Sequence, residues 1–531
     1  MPGSLLMKLI NRTRICVPVC VSHVSELAAA VGRAARIGDF VELRLDCLTG
    51  DELTRLQRDL PTLLKSLSHP LILTLRPVEQ GGRREIDNLT RVIFWTQFFS
   101  QEQPTDVWAD IELDLALFFQ EREKDGSAIL DWQRVICSHH DFTGTGSEAV
   151  KIYEQMSATP ARVLKIAVQA NDANDCLPLF RLLDRARDEG RELIAIAMGH
   201  AGLATRILGP ARGSYLTYGS LDKEHQTAPG QISAARLRSL YRVEQLDRQA
   251  MITGLVGSPI SHSVSPQMHN AAFKASDSNA VYIPFEVQHL DAFIRRMVHP
   301  RTRELDWNLR GVGVTAPHKS AIMEHLDFVE PSAAEIGAVN TVVINEGELR
   351  GYNTDVTAFV KTLSEQMGVL RGLRCAIIGA GGAARAVLWG LQQQGAQPTI
   401  FARAADNAKA LAEKFASSFA PLAEASFNVF DIVINSTPLG TRGPLESETP
   451  AVAAQLRGAR LAYDLVYNPT ETRFIREARE AGCETMGGLS MLVAQAAEQF
   501  QLWTGAEAPV GLMRKAAQAS LDMSHAEADD E

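Results

Sequence analysis

The sequence predicts an α/β protein built in two different styles, and three observations carry that prediction. Short β-rich runs recur between longer helical patterns at 15–21, 40–45, 71–75, 107–113, 135–138, 163–168, 193–198 and 215–218. Eight strands alternating with helices fit a closed (β/α)8 barrel, because such strands pair in parallel through right-handed crossovers. Beyond residue 251 the style changes. A hydrophobic strand at 373–378 leads into the glycine-rich turn Gly379-Ala-Gly-Gly-Ala-Ala-Arg385, a helix at 386–394 and a second strand at 397–401. That order marks a dinucleotide-binding unit, since small residues let backbone N–H groups approach a pyrophosphate at a helix N-terminus. Finally, two lysines stand in contrasting settings: Lys165 within Arg162-Val-Leu-Lys-Ile-Ala-Val168, and Lys319 at the end of Gly313-Val-Thr-Ala-Pro-His-Lys319. Two active sites are expected.

Taken in order, the barrel comes first, and its chemistry should gather at the carboxyl ends of its strands, where Arg44, Asp46, Arg76, His139 and His140 fall. Adjacent strand residues face opposite ways, so only one of the two histidines can point into the mouth. Lys165, in a β-branched run, should lie where its ammonium is poorly solvated, a setting that favours the neutral amine able to attack a ketone. The charged stretch 233–249 reads as the last barrel helix and a linker. In the dinucleotide unit, the residue closing the second strand selects the cofactor. An acid there accepts a ribose 2′-hydroxyl, whereas Phe401-Ala-Arg403-Ala404 followed by Lys409 favours the 2′-phosphate of NADP over NAD.

Composition excludes other classes. The 531 residues are 46% hydrophobic and 22% charged, ordinary for a globular chain, and no apolar run approaches the roughly 20 residues of a membrane helix. A net charge of −10 disfavours a nucleic-acid partner. The seven cysteines, at 16, 20, 47, 137, 176, 375 and 483, include no CxxC pair and read as reduced core residues, with no metal site. The first residues hold too short an apolar stretch for a secretory signal and do not look like a transit leader, which makes the cytoplasm the expected location. The acidic residues from 522 to 531 read as a frayed tail.

The motifs Glu42-Leu-Arg-Leu-Asp46, Thr74-Leu-Arg76 with Gly81-Gly82, Ser138-His-His-Asp-Phe142, Lys165-Ile-Ala, Thr205-Arg206 and Thr227-Ala-Pro-Gly-Gln231 resemble type I 3-dehydroquinate dehydratase over roughly residues 14–235. That resemblance implies a TIM barrel needing no cofactor. It gives Lys165 the role of forming an imine with the C3 ketone of 3-dehydroquinate, and His140 that of taking the C2 proton and then helping the C1 hydroxyl leave. It also implies that Glu42, Arg44, Arg76, Arg206, Thr227 and Gln231 hold the substrate, with Arg206 on its carboxylate. Arg44 and Asp46 also fit a structural ion pair at the rim. Gln80 departs from the family, which has glutamate before the Gly-Gly pair. An amide cannot stabilise an imidazolium by charge, so a lower histidine pKa and slower dehydration are expected.

From Met251 to about Leu521 the chain resembles shikimate dehydrogenase, through Ser261-His-Ser-Val-Ser-Pro-Gln-Met-His-Asn270, Val314-Thr-Ala-Pro-His-Lys319, Gly337-Ala-Val-Asn-Thr341, Gly351-Tyr-Asn-Thr-Asp355, Asn435-Ser-Thr-Pro-Leu-Gly440 and Gly488-Leu-Ser-Met-Leu-Val-Ala-Gln495. The resemblance implies that Lys319 and Asp355 form the acid-base pair beside the carbon receiving hydride. It assigns Ser263, Ser265, Thr315, Asn340, Tyr467 and Gln495 to shikimate. It assigns Gly379, Ala380, Gly381, Gly382 and Ala383 to the NADP cofactor, together with Arg403, Lys409, Leu465 and Gly488. Gly313 replaces an asparagine, and Ala402 and Ala404 replace asparagine and threonine around Arg403, so weaker binding and reduced discrimination against NAD are expected.

These resemblances imply a barrel domain over 1–245, a shikimate dehydrogenase substrate-binding lobe over 246–360 completed by helices at 489–521, and a Rossmann NADP-binding lobe over 361–488. The implied function is conversion of 3-dehydroquinate to 3-dehydroshikimate, then NADPH-dependent reduction to shikimate. Two rivals are a dehydrogenase directed at quinate and a barrel retained only as a scaffold.

Overall fold

The computed structural model of the chain describes residues 13–529 apart from 145, 147, 404 and 424. The first 12 residues, Ala404 and the last two residues of the expected tail lie outside the described residues.

Eight parallel strands build the first sheet: β1 (Ile15–Val19), β2 (Phe40–Arg44), β3 (Leu71–Thr74), β4 (Val107–Glu112), β5 (Val135–Asp141), β6 (Val163–Gln169), β7 (Glu192–Met198) and β8 (Thr217–Tyr218). They lie in the order β7-β6-β5-β4-β3-β2-β1-β8, and a parallel bridge between Leu193 and Ser214 nearly closes the ring. The runs are apolar because both faces are covered, by helices outside and by side chains inside. In β6, Ile166 and Val168 face outward, whereas Val163, Lys165 and Ala167 face the interior. The same alternation sets an apolar floor of Phe40, Ile72, Trp108, Ile136 and Val163. Two positions further along each strand, and so one layer nearer the mouth, come Glu42, Thr74, Asp110, Ser138 and Lys165, all buried.

β5 extends three residues past the expected end at 138, so His139 and His140 are strand residues on opposite faces. The expected helix at 233–249 spans only Ala234–Ser239, and Arg242 just beyond it takes a left-handed φ of 49°. The reading of all cysteines as reduced thiols is corrected. Cys20 and Cys47 form a disulfide, because parallel pairing of β1 with β2 brings the residues just beyond the two strand ends together. The other five cysteines are buried thiols.

The second sheet contains β9 (Met251–Gly257), β10 (Ala280–Glu286), β11 (Leu309–Val314), β12 (Phe328–Val329), β13 (Thr341–Asn345) and β14 (Glu348–Tyr352), in the order β10-β9-β11-β13-β14-β12 with both parallel and antiparallel pairs. The third contains β15 (Arg374–Ile378), β16 (Gln397–Ala402), β17 (Ser418–Pro421), β18 (Ile432–Asn435), β19 (Leu461–Asp464) and β20 (Glu484–Met486). It is wholly parallel, in the order β17-β16-β15-β18-β19-β20, and so doubly wound. The chain then returns to the second sheet. Phe500 and Trp503 of the helix Leu489–Thr504, with Met513, Ala517 and Leu521 of the helix Val510–Asp529, share one core with Met268, Ala272 and Phe273. That last helix reaches Asp529, well into the stretch expected to be a frayed tail.

The chain divides into two compact units. One holds the chain up to Ala250 together with Pro284–Val298 and Thr302–Asn308; the other holds Met251–Ile283, His299–Arg301 and the chain from Leu309. Among the described residues no helix is long and apolar enough to cross a membrane.

Candidate active sites

The barrel residues singled out in the sequence meet in one cavity at the carboxyl ends of the strands. Glu42, Arg44, Arg76, His140, Lys165, Arg206, Thr227 and Gln231 all line it. Lys165 is buried at its floor, and the expectation of an apolar setting is corrected there. Its Nζ donates to Asp110 Oδ2 at 2.8 Å and Glu42 Oε1 at 3.3 Å, and lies 2.9 Å from Tyr218 Oη. The run around Lys165 is apolar on the face that leaves the barrel, whereas the inner face meets the polar layer set by the neighbouring strands. Burial alone would raise Asp110, but Arg76 and Lys165 outweigh it and hold the carboxyl down at about 2.

Arg76 organises the next layer. It pairs with Asp110 at 2.9 Å and lies 2.7 Å from His140 Nδ1. A guanidinium only donates, so the neutral imidazole carries its lone pair on Nδ1. Burial, then the charges of Arg76, Lys165 and Arg44, push His140 well below its ordinary value and keep it neutral. His139 faces the other side of the strand, into a separate cavity with Asp141, Ile166 and Val168.

Gln80 Oε1 accepts the backbone N–H of His140 at 2.7 Å, anchoring the main chain that carries the imidazole. The following Gly81 has a left-handed φ of 83°, and a Cβ there would overlap the ring of Phe142. Arg44 makes the rim ion pair, two parallel bonds to Asp46 at 2.8 and 2.7 Å, while also donating to Gly81 O at 3.1 Å. Arg206 differs. It is 1% exposed, reaches only the carbonyls of Tyr218 and Pro229 at 3.5 Å, and has no carboxylate partner among the described residues. Burial pushes it down to about 10. Gln231 Oε1 accepts the Thr227 N–H at 2.9 Å beside it.

Sequence reasoning did not single out Asp110, Glu112 or Tyr218. The acids had a signal, since Asp110 and Glu112 alternate within the otherwise apolar run Val107–Glu112. Tyr218 read only as the end of a strand.

In the second unit, Lys319 Nζ lies 2.6 Å from Asp355 Oδ2, and Asn340 Nδ2 donates to the other oxygen at 2.8 Å. Asp355 sits in the first turn of the helix Thr354–Met367, whose N-cap Asn353 accepts its N–H at 3.1 Å, so the carboxylate is fixed at a positive helix end. Ser263 Oγ accepts the backbone N–H of the buried Ser265 at 3.2 Å, and the half-buried Tyr467 packs against the core that holds Tyr282. Thr315 packs beside Gly257, while Gln495 donates to Leu492 O at 3.0 Å along its own helix. Gln499, also not anticipated, donates to Thr341 Oγ1 at 3.0 Å and to Asn340 O at 3.3 Å. A Cβ on Gly313 would stand 3.2 Å from the Tyr282 hydroxyl and 3.3 Å from Gln499 Nε2, so those groups fill the space an asparagine would need.

Gly379, Ala380, Gly381 and Arg403 line another cavity, with Ser436 and Thr437 opposite. Gly379 has φ 118°, and a Cβ there would fall 2.7 Å from Ser436 Oγ. The helix Gly382–Gln393 begins four residues earlier than expected and takes Gly382 and Ala383 into its first turn; Gly381 at its N-cap supplies no capping side chain. Uncapped N–H groups and a nearby guanidinium fit the phosphates of a dinucleotide. A Cβ on Gly382 would lie 3.7 Å from Lys319 Cδ, so this turn adjoins the Lys319-Asp355 pair. Lys409 instead pairs with Glu413 at 3.9 Å on its own helix. Gly488 packs directly on Leu465 O beyond β19.

Comparison with known proteins follows the same division. The family model for type I 3-dehydroquinase matches residues 15–248. The model for the shikimate dehydrogenase substrate binding domain matches 255–342, that for shikimate / quinate 5-dehydrogenase 361–453, and that for the shikimate 5′-dehydrogenase C-terminal domain 488–518. The bifunctional 3-dehydroquinate dehydratase/shikimate dehydrogenase, chloroplastic, of Arabidopsis thaliana is 33% identical over 520 residues, covering 94% of this chain and 83% of that protein. The NADP(+) shikimate dehydrogenases of Carboxydothermus hydrogenoformans and Symbiobacterium thermophilum are 39% and 41% identical, each covering 51% of this chain and 98% and 95% of their own lengths. With the barrel motifs lining one cavity and the glycine-rich turn another, the chain belongs to the bifunctional shikimate-pathway enzymes that join a type I 3-dehydroquinate dehydratase to a shikimate dehydrogenase.

Proposed function

We propose that the barrel dehydrates 3-dehydroquinate through an imine on Lys165, and that the second unit reduces the resulting 3-dehydroshikimate to shikimate with NADPH. The observation that carries the first half is Arg206, a buried cation without an acid partner among the described residues, in the cavity that also holds an amine and a neutral imidazole. An uncompensated buried charge is costly, and a substrate carboxylate supplies the missing counter-ion.

In this reading the carboxylate meets Arg206, with Gln231 and Thr227 beside it, and Glu42, Arg44 and Arg76 face the hydroxyls. The Lys165 amine forms the imine, which withdraws electrons from C2. His140 takes the C2 proton and returns it to the C1 hydroxyl as water leaves, so one imidazole serves both transfers.

In the second unit, Ser263, Ser265, Thr315, Asn340, Tyr467 and Gln495 surround the six-membered ring of 3-dehydroshikimate. Residues 379–383, Arg403, Lys409, Leu465 and Gly488 hold the dinucleotide, which when bound supplies the hydride. Lys319 delivers a proton to the carbonyl oxygen, and Asp355, 2.6 Å away, restores it. The substrate-binding lobe over 246–360 with 489–521, and the nucleotide lobe over 361–488, are the domain division proposed with this assignment. A cytoplasmic location belongs to the same proposal, and fractionation of native cells is its test.

The deciding experiment mixes the protein with 3-dehydroquinate and NADPH, following enone absorbance and NADPH loss. Lys165→Ala is expected to abolish both signals and the borohydride-trapped adduct, and Lys319→Ala to stop NADPH oxidation alone. NADPH loss only when 3-dehydroshikimate is supplied would reduce the barrel to a scaffold.

A further inference from the structure

Resting on the assignment of Lys165 as the imine-forming amine, we propose that Tyr218 is a catalytic residue of the dehydratase, relaying a proton between the Lys165 nitrogen and the substrate oxygen as the carbinolamine forms and collapses. The hydroxyl of Tyr218 lies 2.9 Å from Lys165 Nζ, and the same nitrogen stands 4.3 Å from the centre of the Tyr218 ring. The side chain lines the cavity holding Lys165 and His140 and is only 5% exposed. Bulk water is therefore poorly placed to move protons at this nitrogen. The acids that touch Lys165 serve the task less well: Asp110 is tied to Arg76 at 2.9 Å and to Ser138 at 2.5 Å, and Glu42 accepts from Thr74 at 2.8 Å.

Attack of the neutral amine on the ketone carbon forms a C–N bond and moves the carbonyl electron pair to oxygen, leaving a cationic nitrogen and an alkoxide. A phenol donates and accepts at one atom. Tyr218 Oη takes a proton from the nitrogen as its own hydroxyl proton passes to the alkoxide, giving a neutral carbinolamine and an unchanged phenol. The nitrogen lone pair then breaks the C–O bond, and the remaining N–H proton passes through the same hydroxyl to the departing oxygen, which leaves as water and gives the imine. After dehydration, water adds to the product imine to give a second carbinolamine, and the relay runs in reverse as the C–N bond breaks. Burial first, then the charge of Glu42, keeps the Tyr218 hydroxyl protonated well above the ordinary phenol range. That suits a relay in which the phenol never stays ionised.

His140, on β5, handles the C2 proton, so the two jobs can be separated. The experiment is a single turnover of 3-dehydroquinate by the full chain, quenched with borohydride at intervals and read by mass on Lys165, for wild type and Tyr218→Phe. The ring and its packing stay in this variant. Loss of acid-base assistance at one step should slow adduct formation roughly 10²-fold. The primary isotope effect with C2-deuterated substrate should fall toward one, as imine formation becomes limiting. An unchanged trapping rate overturns the proposal. So does an equal slowing of trapping and of C2 proton exchange with the isotope effect preserved, the signature of a packing role. Absence of any adduct in wild type would instead defeat the imine assignment itself.

Discussion

Arg206 carries its charge in the interior with no acid beside it among the described residues. Such a residue serves binding at the expense of stability, and the two can be measured apart. Arg206→Met should raise the melting temperature, with a gain of roughly 1 kcal/mol or more, while costing about 2–5 kcal/mol of transition-state binding. Thermal melting and dehydratase kcat/KM check both halves. His140 gives a second prediction. Because burial and the neighbouring cations hold its imidazole well below the ordinary range, the acidic limb of dehydratase kcat/KM should lie below about pH 6.5, the unperturbed value. Gln80→Glu keeps the acceptor for the His140 N–H and adds a negative charge near the ring, which should move that limb upward in a pH-rate profile. A static limb in that variant would show that the role of position 80 is confined to the backbone. Most residues lining the barrel cavity were legible from their motifs, but their polar partners were not. Tyr218 and Asp110 meet Lys165 only because β8, β4 and β6 share a ring, a neighbourhood absent from any local stretch of sequence.

At the scale of the element, strands were easier to read than their ends. The apolar runs gave β1 through β8 because both faces are buried, whereas the end of β5 was misplaced because His139, His140 and Asp141 do not look like a strand. The disulfide was missed for a related reason: Cys20 and Cys47 are 27 residues apart, and only parallel pairing of β1 and β2 makes them neighbours. Asp464, closing β19, allows a pH test of an element end. Its buried carboxyl accepts from Val466 N–H and from Asn435 and Thr472 side chains, yet burial pushes it up to about 6. The folded state therefore binds a proton more tightly than the unfolded chain, whose carboxyl titrates near the usual 3.8. Stability is fully present below that unfolded value and falls as pH rises through about 6, by on the order of 3 kcal/mol. Asp464→Asn should flatten this dependence between pH 4 and 6 in denaturant titrations of the second unit, since an amide can still accept at one oxygen. An unchanged slope would mean that the carboxyl titrates normally.

For the whole molecule, the fold class was legible because each half announces itself by a different rhythm, strand and helix in strict alternation first, then a glycine turn between strand and helix. The assignment of 284–298 and 302–308 to the first compact unit was not legible, since nothing in the local pattern of those segments sets them apart from their neighbours. Because Lys165 and Lys319 lie in different compact units, their ligands should stabilise different parts of the chain. Calorimetry is expected to resolve two transitions, and NADPH at about 100 times its Kd should stabilise only the dehydrogenase unit, by about 2.7 kcal/mol. Equal shifts of both transitions would reveal thermodynamic coupling. The return of the last two helices to the second sheet governs how the protein can be made. A ribosome works from the N-terminus, so the barrel strands and then the complete nucleotide-binding sheet emerge before Phe500, Met513 and Leu521, the residues that seal Met268 and Ala272 into a core. The segment that begins the dehydrogenase is thus the last part of it to be finished, and its apolar face must wait, exposed, while more than two hundred residues are synthesised behind it.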